Sequence, residues 1–371
     1  MSRAADGGWV VHGYPAAREL LRSADTVQAG LGIETVQRLP RRIRRPVLYQ
    51  DGPEHREQRR RTARFFTPRR VDEHYRALMT RVAEEQVAAL RASGTAQLSD
   101  LSFTMAIEVV REIIGLTHSR PGLKRRLERF FPEEFGRPGL TSVRGLYWTV
   151  QGNANWLAIH LADVRPAIRA HRRRQRDDLI SHLLAEGCSQ AEILGECLTY
   201  AAAGMVTTRE FISVAAWHLF GDPELRERYR AAAEAERLAL LQEILRLEPV
   251  VGRLARRTTA PLTVGGTQLA AGELVTVHVD EVNADPAVAG DGPGLLRPGR
   301  TMGLGAGAAG LAFGDGAHRC PGASVAVLEA DVLLSRLFAL GGLRMTGVPR
   351  VSFKDETGGY EIRDLAVTVP L

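Results

Sequence analysis

The stretch "LAFGDGAHRCPGASVAVLEADVLLSRLF", Leu311 to Phe338, sets Cys320 behind a glycine-rich turn and ahead of a long apolar run. Gly314 and Gly316 permit positive φ and let the backbone approach a flat ligand closely. A sulfur at the start of a helix meets free N–H groups and partial positive charge, which favour a thiolate over a thiol. A thiolate held in this way is a good ligand for iron. Phe313 is placed to cover the sulfur side, and His318 to donate to a carboxylate at the rim of such a ligand. A buried structural cysteine after a turn accounts for the same stretch when it is taken alone.

A second pair with chemical potential is "EILR", where Glu243 and Arg246 stand three apart on one helix face and can form an ion pair. Pro249 ends that helix. Surface pairs of this spacing are common on amphipathic helices, so the pair is informative only together with its neighbours.

Around these residues the chain changes character along its length. "PAARELLRSA", "RVDEHYRALMTRVAEEQVAALRAS" and "DPELRERYRAAAEAERLALLQEILRLEP" repeat apolar residues at spacings of three and four and predict helices. Asp222-Pro223 marks the start of the last. Residues 258–282 alternate, with two glycine turns, and predict short strands. A Gly- and Pro-rich loop region follows, then a helix from about Cys320 to Ala323 onward, then a strand-like tail. The expected fold class is mainly α with a smaller β region: a helix-rich body over about 15–257 and 320–340, with β structure over about 258–282 and 341–371, in one domain.

The chain has 371 residues, long for one core but within reach of a large single-domain enzyme. With 44% hydrophobic and 25% charged residues it is a globular chain with room for a buried cavity. No run of about 18 apolar residues predicts a membrane span, and the N-terminus lacks the pattern of a signal peptide. Three scattered cysteines (Cys188, Cys197, Cys320) argue against a disulfide framework and for a reducing compartment, so a cytoplasmic location is expected. The net charge of +6 and the arginine runs suggest an acidic partner, protein or nucleic acid, or simply a solvated face written in arginine.

"FGDGAHRCPG" resembles the Phe-x-x-Gly-x-x-x-Cys-x-Gly heme-binding signature of the cytochrome P450 family, and three further stretches follow that family's order. "EILR" is similar to its Glu-x-x-Arg pair. "DGPEHREQRRRTARFFTPRR" is similar to its Asp-x-Pro-x-His-x-x-x-Arg-Arg stretch. "YAAAGMVTTREFISVAAWHLF" is similar to the central helix that carries Ala-Gly-x-acid-Thr-Thr, except that Val206 stands where the acid belongs. The four matches span residues 51 to 338.

The resemblance implies a cytochrome P450 fold, a helical triangular prism around a buried heme, with heme b as cofactor and Cys320 as iron ligand. Phe313, Gly314, His318 and Gly322 complete the signature. Arg256 falls where an arginine holds a heme propionate, with Arg257 one residue away, and His55 and Arg59 would clamp a propionate between them. An arginine of "LRPGR" (Leu296 to Arg300) would pair with Glu243 and Arg246. Arg60, Arg61 and Arg64 would dock an acidic ferredoxin, itself reduced by a ferredoxin reductase. Thr207 and Thr208 would serve proton delivery; Glu210 could replace the missing acid only on a distorted helix. Ala203, Gly204, Val206, Val250 and Val251 would line the substrate pocket, and "RGLYWTVQGNANWLAIHL", with Tyr147, Trp148 and Trp156, would form its lid or pack within it. The short stretch before residue 51 implies a trimmed N-terminal β region and an atypical loop over the pocket.

The expected activity is monooxygenation of a small molecule in secondary metabolism: hydroxylation, or oxidative aromatic or C–C coupling, since Val206 removes a relay group. An aromatic or cyclodipeptide-like substrate is expected, with no membrane and no nucleic acid as partner. Other readings are a peroxygenase using hydrogen peroxide, with Arg209 near the central helix, and a non-catalytic heme-binding protein. No helix-turn-helix or zinc pattern accompanies the arginines.

Overall fold

A computed structural model describes the whole chain except residues 6, 34–35, 37–43, 132–141 and 356. Two compact units emerge: Met1–Leu39, Val47–Met105 and Thr207–Leu371 form one, and Pro40–Pro46 with Ala106–Val206 the other.

The first unit opens with β1 (Ser2–Arg3), β2 (Trp9–Val11), helix α1 (Tyr14–Arg22) and β3 (Thr26–Ala29). Helix α1 starts cleanly because Pro15 occupies its first turn and the Asp285 carboxylate accepts the Tyr14 N–H at 2.8 Å. Its Tyr14, Ala17, Leu20 and Leu21 enter the core together, as the spacing of three and four requires. Helix α2 (Gly52–Thr62), helix α3 (Arg76–Ser93) and strand β4 (Thr95–Gln97) follow. A π turn, Val71–Tyr75, precedes α3.

Helix α4 (Leu98–Ile114) runs from the first unit into the second, which then carries α5 (Leu123–Phe130), α6 (Val143–Ile159), α7 (Arg165–Arg173), α8 (Leu179–Ala185) and α9 (Gln190–Ala201). Ser189 and Glu192 form a reciprocal capping box at the start of α9, which fixes where that helix begins.

The chain returns to the first unit with α10 (Thr207–Gly221), α11 (Pro223–Ala231) and α12 (Glu234–Leu247). One long helix was expected over the last two; two are found. The alanines at the break have high helix propensity and carry no sequence signal. The tertiary contacts end the helix: Arg237 donates to the Ala232 carbonyl at 3.0 Å and holds the buried Asp331 through both oxygens at 2.8 Å.

Strands β5 (Arg253–Thr258), β6 (Leu262–Val264), β7 (Thr267–Leu269) and β8 (Leu274–His278) come next. β structure therefore begins at Arg253, earlier than expected, while Val279–Asn283 is a helical turn rather than strand. The main sheet has the order β1-β2-β8-β5-β3, with β2 and β8 parallel and the other pairs antiparallel. Three of its five strands come from the N-terminal stretch, which corrects the expectation of a trimmed β region there. The loop expected over the pocket falls on residues 34–35 and 37–43, outside the described residues.

Helix α13 (Ala323–Phe338) is the most deeply set element, with Val325, Leu328, Leu333 and Leu337 buried, and it packs against α3, α10, α11 and α12. The tail forms β9 (Arg344–Thr346), β10 (Arg350–Lys354), β11 (Gly359–Arg363) and β12 (Ala366–Thr368). β10 pairs with β11, and β4, β12 and β9 form a three-stranded sheet.

Candidate active site

Cys320 closes a tight loop ahead of α13. Its N–H donates to the Phe313 carbonyl at 2.8 Å, and a short 3-10 turn, Gly316–His318, lies between them. Gly314 and Gly316 take φ of 66° and 67°. A Cβ on Gly316 would lie 2.3 Å from the Leu21 carbonyl oxygen, so close approach as well as backbone conformation requires glycine there.

The sulfur is exposed to solvent-sized contacts. Enough protein surrounds it, however, that desolvation raises the thiol pKa, against the Gly322 N–H and the Arg59 and Arg319 charges. The helix start was expected to favour the thiolate. Desolvation outweighs it, although the Gly322 N–H at the cap of α13 works toward the thiolate. A metal cation would have to supply the missing stabilisation.

A cluster of cations and imidazoles accompanies the loop. The His318 ring stacks on His55 with centroids 4.2 Å apart and planes 17° apart. His318 was expected to meet a ligand carboxylate; its Nε2 instead lies 2.9 Å from Asp51 Oδ1. Asp51 accepts the Gln28 N–H, and Gln28 Oε1 accepts Arg256 Nη1 at 2.7 Å, so one chain of bonds joins β3, β5, α2 and the cysteine loop. Arg59 was expected to clamp with His55; it donates to the Arg319 carbonyl, one residue from Cys320. Arg257, the neighbouring alternative to Arg256, is exposed and bonds the Gly272 carbonyl.

Two of these groups lack the partner their chemistry calls for. His55 Nδ1 is buried without a hydrogen bond. Burial, then the charges of His318 and Arg59, push the His55 pKa down to about 4, so the ring is neutral. Arg256 is buried; among the described residues it bonds neutral acceptors, Gln28 Oε1 and the Ala255 carbonyl, and desolvation pulls its pKa down to about 10 against the nearby Asp51 charge. A buried guanidinium hydrogen-bonded to neutral acceptors, an orphaned imidazole nitrogen and the cysteine sulfur fit a cofactor that combines carboxylates with an iron ion.

Behind the site, Arg246 grips Glu243 through two bonds of 2.7 and 2.9 Å, both side chains fully buried. Arg300 Nε and the Arg297 N–H add bonds of 3.1 and 3.0 Å to Glu243 Oε1. Burial works to raise the Glu243 pKa, but Arg246, the Arg297 N–H and Arg300 together hold it below the usual carboxylate range. Beyond this helix, Val250 and Gly252 run against the turn of the β10–β11 hairpin. A Cβ on Gly359 would sit 2.2 Å from the Val250 carbonyl oxygen, and one on Gly252 2.0 Å from that of Gly358. Val251 is half-buried in the same segment.

The central helical run passes from α9 through a π segment, Ala202–Val206, into α10. Ala203, Gly204 and Val206 belong to the second unit, Thr207 and Thr208 to the first. Gly204 does not leave open space: a Cβ there would lie 2.5 Å from Val110 Cγ2 of α4, so the glycine admits a neighbouring helix. Thr208 is buried.

Although the helix is distorted, the Glu210 carboxylate is taken up by two arginines. Arg363 bonds both its oxygens, at 2.9 and 2.8 Å, and Arg209 Nε adds a third bond at 2.9 Å. Arg209 is therefore charge-paired, and it lies over the Phe103 ring at 5.0 Å. In the second unit Tyr147 and Trp156 are partly exposed; Trp156 meets Phe130 of α5 edge-on at 5.6 Å.

The sequence profile described as Cytochrome P450 matches residues 238–340, from α12 through the cysteine loop and α13. Cyclomarin C epoxidase CymV of Salinispora arenicola is 30% identical over 337 residues, covering 85% of this chain and 78% of that protein. The chain belongs to the cytochrome P450 family. The erythromycin C-12 hydroxylase of Saccharopolyspora erythraea is also 30% identical, covering 79% of this chain and 72% of its own length. Among solved structures, the hydroxylase HmtN superposes with a TM-score of 0.80 at 24% identity, over all of this chain and 93% of that one, and shows the shared fold. This cytochrome P450 is thus a heme b monooxygenase of the bacterial type. Among the described residues no helix is long and apolar enough to cross a membrane.

Asp51, Gln28 and Asp315 are residues that sequence reasoning missed. Asp51 stood inside a quoted motif, but its partner His318 lies 267 positions away. Gln28 carries no motif at all.

Proposed function

We propose that this cytochrome P450 oxidises a natural product in secondary metabolism, with Cys320 as thiolate ligand and with His55, Arg256 and the stacked His318 facing the heme carboxylates. The observation that carries this reading is the pairing of a buried Arg256, hydrogen-bonded to neutral acceptors, and an orphaned His55 nitrogen with the cysteine loop. When bound, heme supplies dioxygen activation, and thiolate ligation favours O–O cleavage. The chain's own residues then decide orientation and protonation. Val250 and Val251, backed by the β10–β11 turn, offer a firm apolar wall to a substrate. Thr207 and Thr208 provide hydroxyls at the head of α10, while Val206 provides none.

With Val206 in the acid's place and Glu210 consumed by Arg363, protons or hydrogen atoms come from the substrate's own N–H or O–H groups. That favours an aromatic or cyclodipeptide-like substrate and oxidative coupling beside hydroxylation. Relatives named as an epoxidase and a hydroxylase of natural products support the setting. Electrons come from a ferredoxin and its reductase, docking on the exposed arginines of α2 and the turn after it. Arg60 and Arg61 share Glu57, and Arg64 is exposed in the same patch, over the Phe65 ring at 4.8 Å. A cytoplasmic setting agrees with the free cysteines. The peroxygenase reading loses weight because Arg209 is paired with Glu210.

The test is a substrate-induced shift of the heme Soret band over a panel of aromatic, cyclodipeptide, macrolide, terpene and fatty-acid compounds. Shifts confined to the first two classes, with turnover driven by reduced ferredoxin, are expected. Shifts confined to fatty acids or terpenes overturn the substrate class, and turnover with peroxide alone overturns the electron source.

A further inference from the structure

The cysteine loop is held from outside by a group that no part of the proposed chemistry uses. Asp315 lies two residues after Phe313 and five before Cys320. Its Oδ2 accepts Arg18 Nε and Arg22 Nε, each at 2.9 Å, and its Oδ1 accepts the Gly316 N–H at 2.7 Å. The side chain is only 15% exposed. Arg18 and Arg22 are one turn apart on α1, so a single helix face presents both guanidinium groups. Arg18 also donates from Nη1 to the Leu304 carbonyl at 2.6 Å, tying the same face to the chain ahead of the loop. The α1 backbone itself presses on the loop, with the Leu21 carbonyl where a Gly316 Cβ would be. Helix α1 cannot yield easily: Leu20 and Leu21 are core residues, Asp285 fixes its first turn, and Glu19 accepts the Gly265 N–H at 3.0 Å.

We infer that Asp315, gripped by Arg18 and Arg22, is a positioning residue for Cys320: α1 sets the conformation of the loop that presents the sulfur to iron. The carboxylate has two functions. Through Oδ1 it caps the Gly316–His318 turn that leads into Cys320. Through Oδ2 it bonds both guanidinium groups and so ties that turn to α1. Burial works to raise the Asp315 pKa, yet Arg22, the Gly316 N–H and Arg18 hold it below the usual range, so the carboxylate stays charged at neutral pH. Removing the charge weakens both ties to α1 and frees the turn; removing one arginine loosens only the grip. Groups that orient a metal ligand from behind typically change metal affinity by about ten- to a hundredfold.

The inference rests on Cys320 being the iron ligand, and the experiment separates the two. Asp315→Asn, Asp315→Glu and Arg22→Ala are compared with Asp331→Asn, which disturbs a more deeply buried cluster of Asp331 in α13 with Arg237 and Tyr229. Three quantities are read on the heme-loaded protein: the Soret position after reduction under carbon monoxide, the rate of heme transfer to apomyoglobin, and the midpoint of thermal unfolding.

In Asp315→Asn, a sizeable fraction is expected to lose the red-shifted thiolate band, and heme transfer is expected to quicken about tenfold. Arg22→Ala should show a smaller change in the same direction, and Asp315→Glu should recover part of both. Asp331→Asn should lower the unfolding midpoint and leave band and transfer unchanged. If Asp315→Asn and Arg22→Ala lower only the midpoint, as Asp331→Asn does, Asp315 is a structural anchor and the inference falls. If Cys320→Ser still shows the red-shifted band, the ligand assignment itself falls.

Discussion

The cysteine loop and the central helix of this P450 handle constraint in opposite ways. Around Cys320 the chain is bonded at several points: Asp315 to α1, His318 to Asp51, Arg59 to the Arg319 carbonyl, and the Glu243–Arg246–Arg300 cluster behind. The central helix has a π segment at Ala202–Val206, a glycine filled by Val110, a valine for the acid, and a glutamate taken by Arg363. Sulfur ligation needs one geometry, and small errors there change which ligand state the iron takes, so redundant bonding holds it. Proton delivery has several possible sources, so the helix residues can diverge while the fold is kept.

The bluntest way to break this comparison is to remove what the loop exists to hold. Cys320→Ser should reduce monooxygenase activity to background and abolish the thiolate band, with the apoprotein still folded, as shown by circular dichroism. A retained band would mean that the dense bonding serves some other purpose. Next in size is the buried cluster. Glu243→Gln leaves the Arg246 guanidinium uncompensated at 0% exposure, and breaking such a pair costs about 3–5 kcal/mol. Denaturant unfolding should show a loss of that order; a loss below about 1 kcal/mol would place the pair in the energetic class of exposed ion pairs.

This division also marks what the sequence made legible. Cys320, Glu243–Arg246 and the His55–Arg59 stretch lie in short local patterns, because a loop or a helix face fixes neighbours three or four apart. Asp51–His318, Arg256–Gln28 and Glu210–Arg363 join residues more than 150 positions apart, and no local pattern encodes them. Helices with apolar periodicity were legible at α1 and α3. The α11–α12 break was not, since a distant Asp331 rather than a glycine or proline makes it. The N-terminal strands, of two to four residues, are too short for alternation to show.

The central helix is probed by restoring what it lacks. Val206→Glu should change the product ratio or the electron coupling by about tenfold, a modest share of what a positioned acid contributes. Unchanged products and coupling would mean that the missing acid does not shape the chemistry. Glu210→Gln sharpens the point. Because Arg363 and Arg209 already hold its oxygens, the substitution should lower stability and leave the pH dependence of turnover in place. A lost pH limb would instead make Glu210 a proton carrier.

The smallest expected effect lies in the second unit, at the buried His171. His171 is fully buried, with Nδ1 2.6 Å from the Ala167 carbonyl and Nε2 2.6 Å from Asp178 Oδ2. Two acceptors require two N–H groups, so the ring is an imidazolium. Burial works to lower its pKa, but the Asp178 hydrogen bond and charge and the Ala167 carbonyl raise it above 6.5, against the Arg176 charge. Asp178 also accepts the Ser181 N–H, Arg176 lies 3.5 Å from it, and His118 meets His171 edge-on. A histidine raised on folding contributes stability that is complete below its unfolded value of about 6.5 and fades as pH rises through the folded value. The unfolding midpoint should therefore fall as pH climbs past neutrality, and His171→Gln should remove that slope, a change on the order of 2 °C. The thiolate band should not move over the same range. A band that tracks the midpoint would tie this pair to the cysteine loop and erase the contrast between the two regions.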